Sequence, residues 1–292
     1  QARREEKAAA AARTADPPEL GEFVREATRR AADVAALDDA DAASLDTSWR
    51  ALHDVAGKLA VLNKARYDAT TASFPQLSDD GWTQLGAGCT AALDVAWRAV
   101  LAERRHGSGH DGVALIPQYA LFLSHAGEDK HEYAIPLRDA LCTALGDVAR
   151  DAIFLDQISL PAGGDPETHM HRAAATSSAM LTVVTPAFLG KSWCLVELLV
   201  GLARRRDALR ASAPGEYALL LDCYAGSAAA YPKGRTYSAW LGEVTTVLNV
   251  SMPTGIVHSA RATKDMHMVK VVGAMQVLMQ RVRRATQDEA AV

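Results

Sequence analysis

Tyr119-Ala120-Leu121-Phe122-Leu123 is an apolar run of strand length, followed at once by the polar turn Ser124-His125-Ala126-Gly127-Glu128-Asp129-Lys130 and then by helical periodicity. The unit recurs. Ala152-Ile153-Phe154-Leu155, Met180-Leu181-Thr182-Val183-Val184, Tyr217-Ala218-Leu219-Leu220-Leu221 and Gly255-Ile256-Val257 read as further strands, with helical stretches at about 131–146, 167–177, 192–210, 238–249 and 265–284. Five strands alternating with five helices predict an α/β fold with a parallel sheet covered on both faces. In such a sheet every strand-to-helix loop emerges on one edge, and ligands bind there, at a topological switch point. Three loops of this class carry unusual residues: 124–130, 156–166 and 185–193.

Upstream the rhythm differs. Residues 1–16 are Ala-rich and charged without apolar periodicity, which predicts a tail or frayed helical extension. Pro17-Pro18-Glu19 reads as a helix start, followed by Leu20, Phe23, Val24, Ala27, Ala31 and Val34 at three- and four-residue spacing. A second amphipathic stretch spans about 44–72 through Trp49, Leu52 and Leu59 and is broken by Pro75; a third spans about 82–105. Three helices with short turns predict an α-helical bundle over 17–106. His106-Gly107-Ser108-Gly109 opens a linker over 107–116, the α/β domain occupies 117–285, and 286–292 form a tail. Trp49, Trp82 and Trp97 either fill the bundle core or mark a partner interface.

A net charge of -4 and a pI near 6.2 exclude a dedicated nucleic-acid binder, for which a basic stripe is expected. Arg204-Arg205-Arg206 reads as a solvated helix face. Cys89, Cys142, Cys194 and Cys223 lack CxxC spacing, so reduced thiols and a cytoplasmic location are expected. No apolar run approaches membrane-spanning length and no signal peptide is evident, while Gln1 in place of Met points to a fragment of a longer chain.

Ser192-Trp193-Cys194-Leu195-Val196-Glu197-Leu198 embeds one carboxylate in an apolar helix start. Charged side chains are seldom buried without a partner or a task. With Ser192 as N-cap, Trp193 and Glu197 fall one turn apart on the same stripe, the carboxylate near the electropositive end. An aromatic wall beside an oriented anion suits a cationic or sugar-like ligand. The alternative is that Glu197 merely pairs with a cation or favours the helix dipole.

YALFLSHAGEDK (119–130), FLDQISLPAGG (154–164) and TPAFLGKSWCLVEL (185–198) resemble, in order and spacing, the three sequence boxes of the Toll/interleukin receptor (TIR) domain family. The resemblance covers about 117–285 and implies a flavodoxin-like five-stranded sheet ordered 2-1-3-4-5, with its crevice between the Ser124 loop and the helix bearing Glu197. It implies two activities. Some members cleave NAD at the nicotinamide–ribose bond with a glutamate aligned to Glu197; others are scaffolds that work through TIR–TIR contact. Under the first, NAD is a substrate rather than a cofactor, and no metal is needed because nicotinamide is already a cationic leaving group. Glu197 is then catalytic, Ser124, His125, Ala126, Gly127, Trp193 and Cys194 bind substrate, and Ile158, Leu160, Pro161, Gly163 and Gly164 form a gating or assembly loop. Plant members commonly carry Phe at the position of His125 and Arg at that of Ala126, so one cationic contact to the dinucleotide is absent here. Partners expected are NAD and further copies of the chain, through the TIR domain and the N-terminal helices.

Other patterns fare worse. His169 and His171 are two apart on a helical stretch and do not share a face, so no metal site is expected. No GxGxxG follows a strand, and Thr185-Pro186 stands where a phosphoacceptor receiver needs an aspartate.

Overall fold

A computed structural model describes residues 16–37, 43–66, 77–107, 119–146, 151–156, 165–211, 217–223 and 256–258. The helices expected at 238–249 and 265–284, residues 1–15 of the N-terminal tail, the C-terminal tail, most of the linker and the loop bearing Ile158, Leu160, Pro161, Gly163 and Gly164 lie outside these residues.

Three helices open the chain: α1 (Pro18–Ala35), α2 (Ala43–Arg66) and α3 (Asp79–Gly107). Pro18 occupies the first turn of α1, where a missing N–H costs nothing, and Leu20, Phe23, Ala27 and Val34 bury one stripe. A Cβ on Gly88 would sit 2.7 Å from Phe23 Cε1, so the glycine is what lets α1 and α3 close on each other. Contrary to the expectation from sequence, α3 is long and apolar enough to cross a bilayer by length and composition. Its apolar residues Leu85, Leu93, Val95, Ala96 and Val100 are nevertheless buried in the protein core.

Strands β1 (Leu121–Ser124), β2 (Ile153–Phe154), β3 (Ala179–Val184), β4 (Ala218–Cys223) and β5 (Ile256–His258) pair in parallel in the order β2-β1-β3-β4-β5. Between them run α4 (Ile135–Leu145), α5 (Pro166–Thr176), α6 (Pro186–Leu189) and α7 (Ser192–Arg210). Side-chain alternation splits the core into two layers. Leu121, Leu123, Leu181 and Val183 join Leu137 and Leu141 of α4, whereas Phe122, Met180 and Val184 join Leu195 and Leu199 of α7. A Cβ on Gly201 would lie 2.6 Å from Met180 Sδ, so this glycine sets how closely α7 approaches β3.

The second layer does not stop at α7. Phe23, Leu52 and Leu93 of the N-terminal helices belong to the same continuous core, and α7 packs against α2 and α3 on its outer side. This burial overturns the reading of Arg204-Arg205-Arg206 as a solvated face: all three are buried. Arg204 donates to the Ala174 carbonyl at 3.0 Å with its guanidinium 4.0 Å from the Tyr217 ring centroid, Arg205 donates to the Tyr217 carbonyl at 3.0 Å, and Arg206 pairs with Asp94 of α3 at 2.7 Å. A run of like charge is tolerated inside because each head group meets its own acceptor.

The seam between the helical segment and the α/β part carries further polar clamps. Asn63 Nδ2 donates to the Leu189 carbonyl at 3.0 Å. Glu103, buried on α3, accepts from Trp49 Nε1 at 3.3 Å and from Arg172 Nε of α5 at 3.1 Å. Trp49 itself is buried and stacks on His171 of α5, ring centroids 3.9 Å apart and 3° from parallel. It serves the seam inside the chain.

Candidate functional site

Ser124 ends β1 and has the same parity as Phe122, so its side chain points to the α7 face. There the Ser124 hydroxyl donates a hydrogen bond to Glu197 Oε2. Glu197 is 7% exposed. Among the described residues no cation lies at ion-pair distance from it. Burial is the main reason its carboxyl is pushed up to about 7; the Ser124 hydrogen bond and the charge of His125 pull the other way, and Asp156 adds to the rise. The group titrates near neutrality.

The helix begins one residue earlier than the sequence suggested. Lys191 is the N-cap, without a side-chain cap bond, and Ser192 is the first helical residue, because the extended conformation belongs to Lys191 (φ -109°, ψ 123°). Glu197 therefore lies in the second turn, still four residues from Trp193.

His125 follows Ser124 out of the sheet. Its Nδ1 lies 2.8 Å from the Ala126 carbonyl, to which it donates, and its Nε2 lies 3.8 Å from Asp156 Oδ1, an ion-pair distance. Burial alone pushes the imidazole down, but Asp156, the Ala126 carbonyl and Glu197 outweigh it, and the net direction is up. Lys130 holds Asp156 at 2.5 Å, tying the turn after β1 to the end of β2. Thr185 Oγ1 donates to Asp129 at 2.5 Å and accepts from the Phe188 amide at 3.0 Å, which ties the same turn to the end of β3.

These loops enclose a cleft of about 310 Å³. Glu197, Cys194 and Trp193 form one wall, His125, Gly127 and Glu128 another, and Phe154, Asp156 and Met170 a third, with Lys191 at the rim. Of the residues expected to bind substrate, His125, Gly127, Trp193 and Cys194 line the cleft. Ser124 and Ala126 do not: Ser124 lies beneath Glu197, and Ala126 is fully buried in the core. The Cys194 thiol donates to the His125 carbonyl at 3.5 Å, and burial, chiefly, pushes its pKa far up, so it is a neutral wall.

Sequence reasoning missed Asp156, Lys191 and the partners of Trp193. Asp156 was visible within FLDQISL at a strand end, and Lys191 within GKSW, one residue before the helix. The Trp193 partners left no signal, because they come from distant segments: His53 of α2 meets the indole edge-on at 4.5 Å and His171 lies 5.5 Å away, nearly parallel. The helical segment thus backs one wall of the cleft.

Residues 121–221 match the family model described as TIR domain. This part of the chain is a TIR domain. No curated protein and no solved structure matches the chain. The cleft of the TIR domain opens at the ends of β1 and β2 beside β3, where the strand order reverses direction. Its chemistry is that of a buried, titratable carboxylate beside an aromatic wall, with an imidazole and a primary amine within the same cavity.

Proposed function

We propose that the TIR domain hydrolyses NAD at the nicotinamide–ribose bond. The observation that supports this reading is the setting of Glu197, a buried carboxylate that faces a cleft with a serine hydroxyl, and no cation, as its hydrogen-bond partner among the described residues. A structural carboxylate is satisfied by donors; this one is left to meet a positive charge brought by the ligand. In the reaction the C1′–N bond breaks, its electron pair passes to the pyridinium nitrogen, and neutral nicotinamide departs. The ribosyl centre becomes oxocarbenium-like, and the Glu197 carboxylate stabilises or traps it before water adds, giving ADP-ribose and a proton. Trp193 offers a face to the nicotinamide ring. The cleft is at the small end of ligand pockets, which run from about 300 to 1,000 Å³, so it takes the nicotinamide–ribose end while the phosphates lie outward near Lys191.

Lys191 now pairs with Glu128 at 2.7 Å in an exposed bridge that a phosphate competes for at little cost. An open cleft also leaves room for a neighbouring copy to complete the site, so activity is expected to rise with protein concentration. The free thiols Cys89, Cys142 and Cys194 accord with a reducing, cytoplasmic compartment. Incubating the chain with NAD over a dilution series and following nicotinamide by chromatography tests the reading. Release that steepens with concentration is expected. Absence of release at every concentration, from folded protein, would leave a TIR scaffold acting through self-association.

A further inference from the structure

A second cluster of ligating side chains lies on the seam, outside the cleft. His53 Nε2 of α2 is 2.9 Å from His171 Nε2 of α5, and 3.7 Å from Glu167 Oε1, one helical turn before His171. The three ligating atoms all fall within 4.8 Å of one another. His169 takes no part: its Nδ1 donates to the Asp165 carbonyl at 2.9 Å. The sequence argument considered only the His169/His171 pair, and His53, 118 residues from His171, lay outside it.

We propose that His53, Glu167 and His171 form a binding site for a divalent transition-metal ion, with Zn²⁺ the best-matched, water completing the coordination. Two nitrogens each about 2.0–2.1 Å from one ion stand roughly 2.9 Å apart at a right angle and roughly 3.4 Å apart at a tetrahedral angle. The observed separation lies at the first value, and a slight opening reaches the second. Imidazole with one carboxylate is a donor set that suits zinc and its neighbours and discriminates against Mg²⁺. The rings are pre-set: His171 is buried between Trp49 and Trp193, which stack on it, so its Nε2 is held toward His53 without further ordering. Glu167 is exposed, which gives the ion a route in and room for water. Because His53 belongs to the helical segment and the other two ligands to α5, the ion would cross-link the two parts directly behind Trp193.

The full chain, stripped with EDTA and dialysed, is titrated with Zn²⁺ by calorimetry and followed by thermal melting, with Mg²⁺ as control. One equivalent of Zn²⁺ is expected to bind and raise the thermal midpoint, while Mg²⁺ does neither. His53→Asn removes a ligand from a half-buried position and is expected to weaken Zn²⁺ by at least the roughly 10–100-fold that altering an outer-shell partner costs. Glu167→Gln, on the surface and safe for folding, is expected to weaken it less. Failure of the wild-type chain to bind Zn²⁺, or undiminished binding and stabilisation in both variants, would overturn the proposal. Neither readout depends on NAD.

Discussion

Two buried carboxylates of this chain have opposite surroundings. Glu103 is 2% exposed and is met by an indole N–H and a guanidinium, from Trp49 and Arg172; Glu197 is 7% exposed and is met by a single hydroxyl, that of Ser124. Glu103 faces the seam between the helices and the TIR domain, whereas Glu197 faces an open cleft. The contrast separates a carboxylate whose charge is spent on holding the structure from one whose charge is held in reserve. Burial by itself distinguishes nothing; the donors do.

The comparison breaks first on pH. Glu197 has its pKa raised from 4.5 to about 7, chiefly by burial. An acid raised on folding favours the folded state only while protonated, so its contribution is intact below about 4.5 and is lost as pH rises through about 7. A rise of that size amounts to about 3 kcal/mol. The melting temperature of wild-type protein is expected to fall relative to Glu197→Gln by roughly 8 °C between pH 4.5 and 8. A pH-independent gap between the two would mean that Glu197 is ionised and paired throughout.

Glu103→Ala strips two donors of their acceptor. Arg172 is partly exposed and recovers water, so the cost is about 2 kcal/mol, or roughly 5 °C in thermal midpoint. Nicotinamide release per folded molecule is expected to persist. Loss of release from protein that remains folded would place Glu103 in the site. Smallest of all, Ser124→Ala removes a hydrogen bond that favours the ionised form of Glu197, worth about 1 kcal/mol, and is expected to move the acid limb of the pH–rate profile up by about 0.7. An unmoved limb would show that the serine does not tune the carboxylate.

How much of this was legible in the sequence depends on how local each signal is. The parallel sheet was, because continuous apolar runs between helical stretches declare strands buried on both faces, and the three boxes around 119, 154 and 185 fixed their order. The burial of Glu197 was, because a lone carboxylate among Leu, Val and Cys is carried inward with its apolar neighbours. The arginines at 204–206 were misread because nothing within α7 announces that α3 covers its outer face with Asp94. The helix start slipped by one residue because a serine reads as a cap, while the backbone gave that place to Lys191. His53, which backs Trp193 from another segment, has no local signal at all: only the fold brings it there.

The most direct measurement is nicotinamide release from NAD by wild-type protein and by Glu197→Gln, side by side at pH 8 with thermal midpoints recorded on the same samples. Gln keeps the size of the side chain and removes the charge, so the variant is expected to melt no lower than wild type while its release falls by roughly 10²-fold or more. Near wild-type release from the variant, or a loss of release matched by a loss of fold, would contradict the assignment of Glu197 as the group that meets the ribosyl cation.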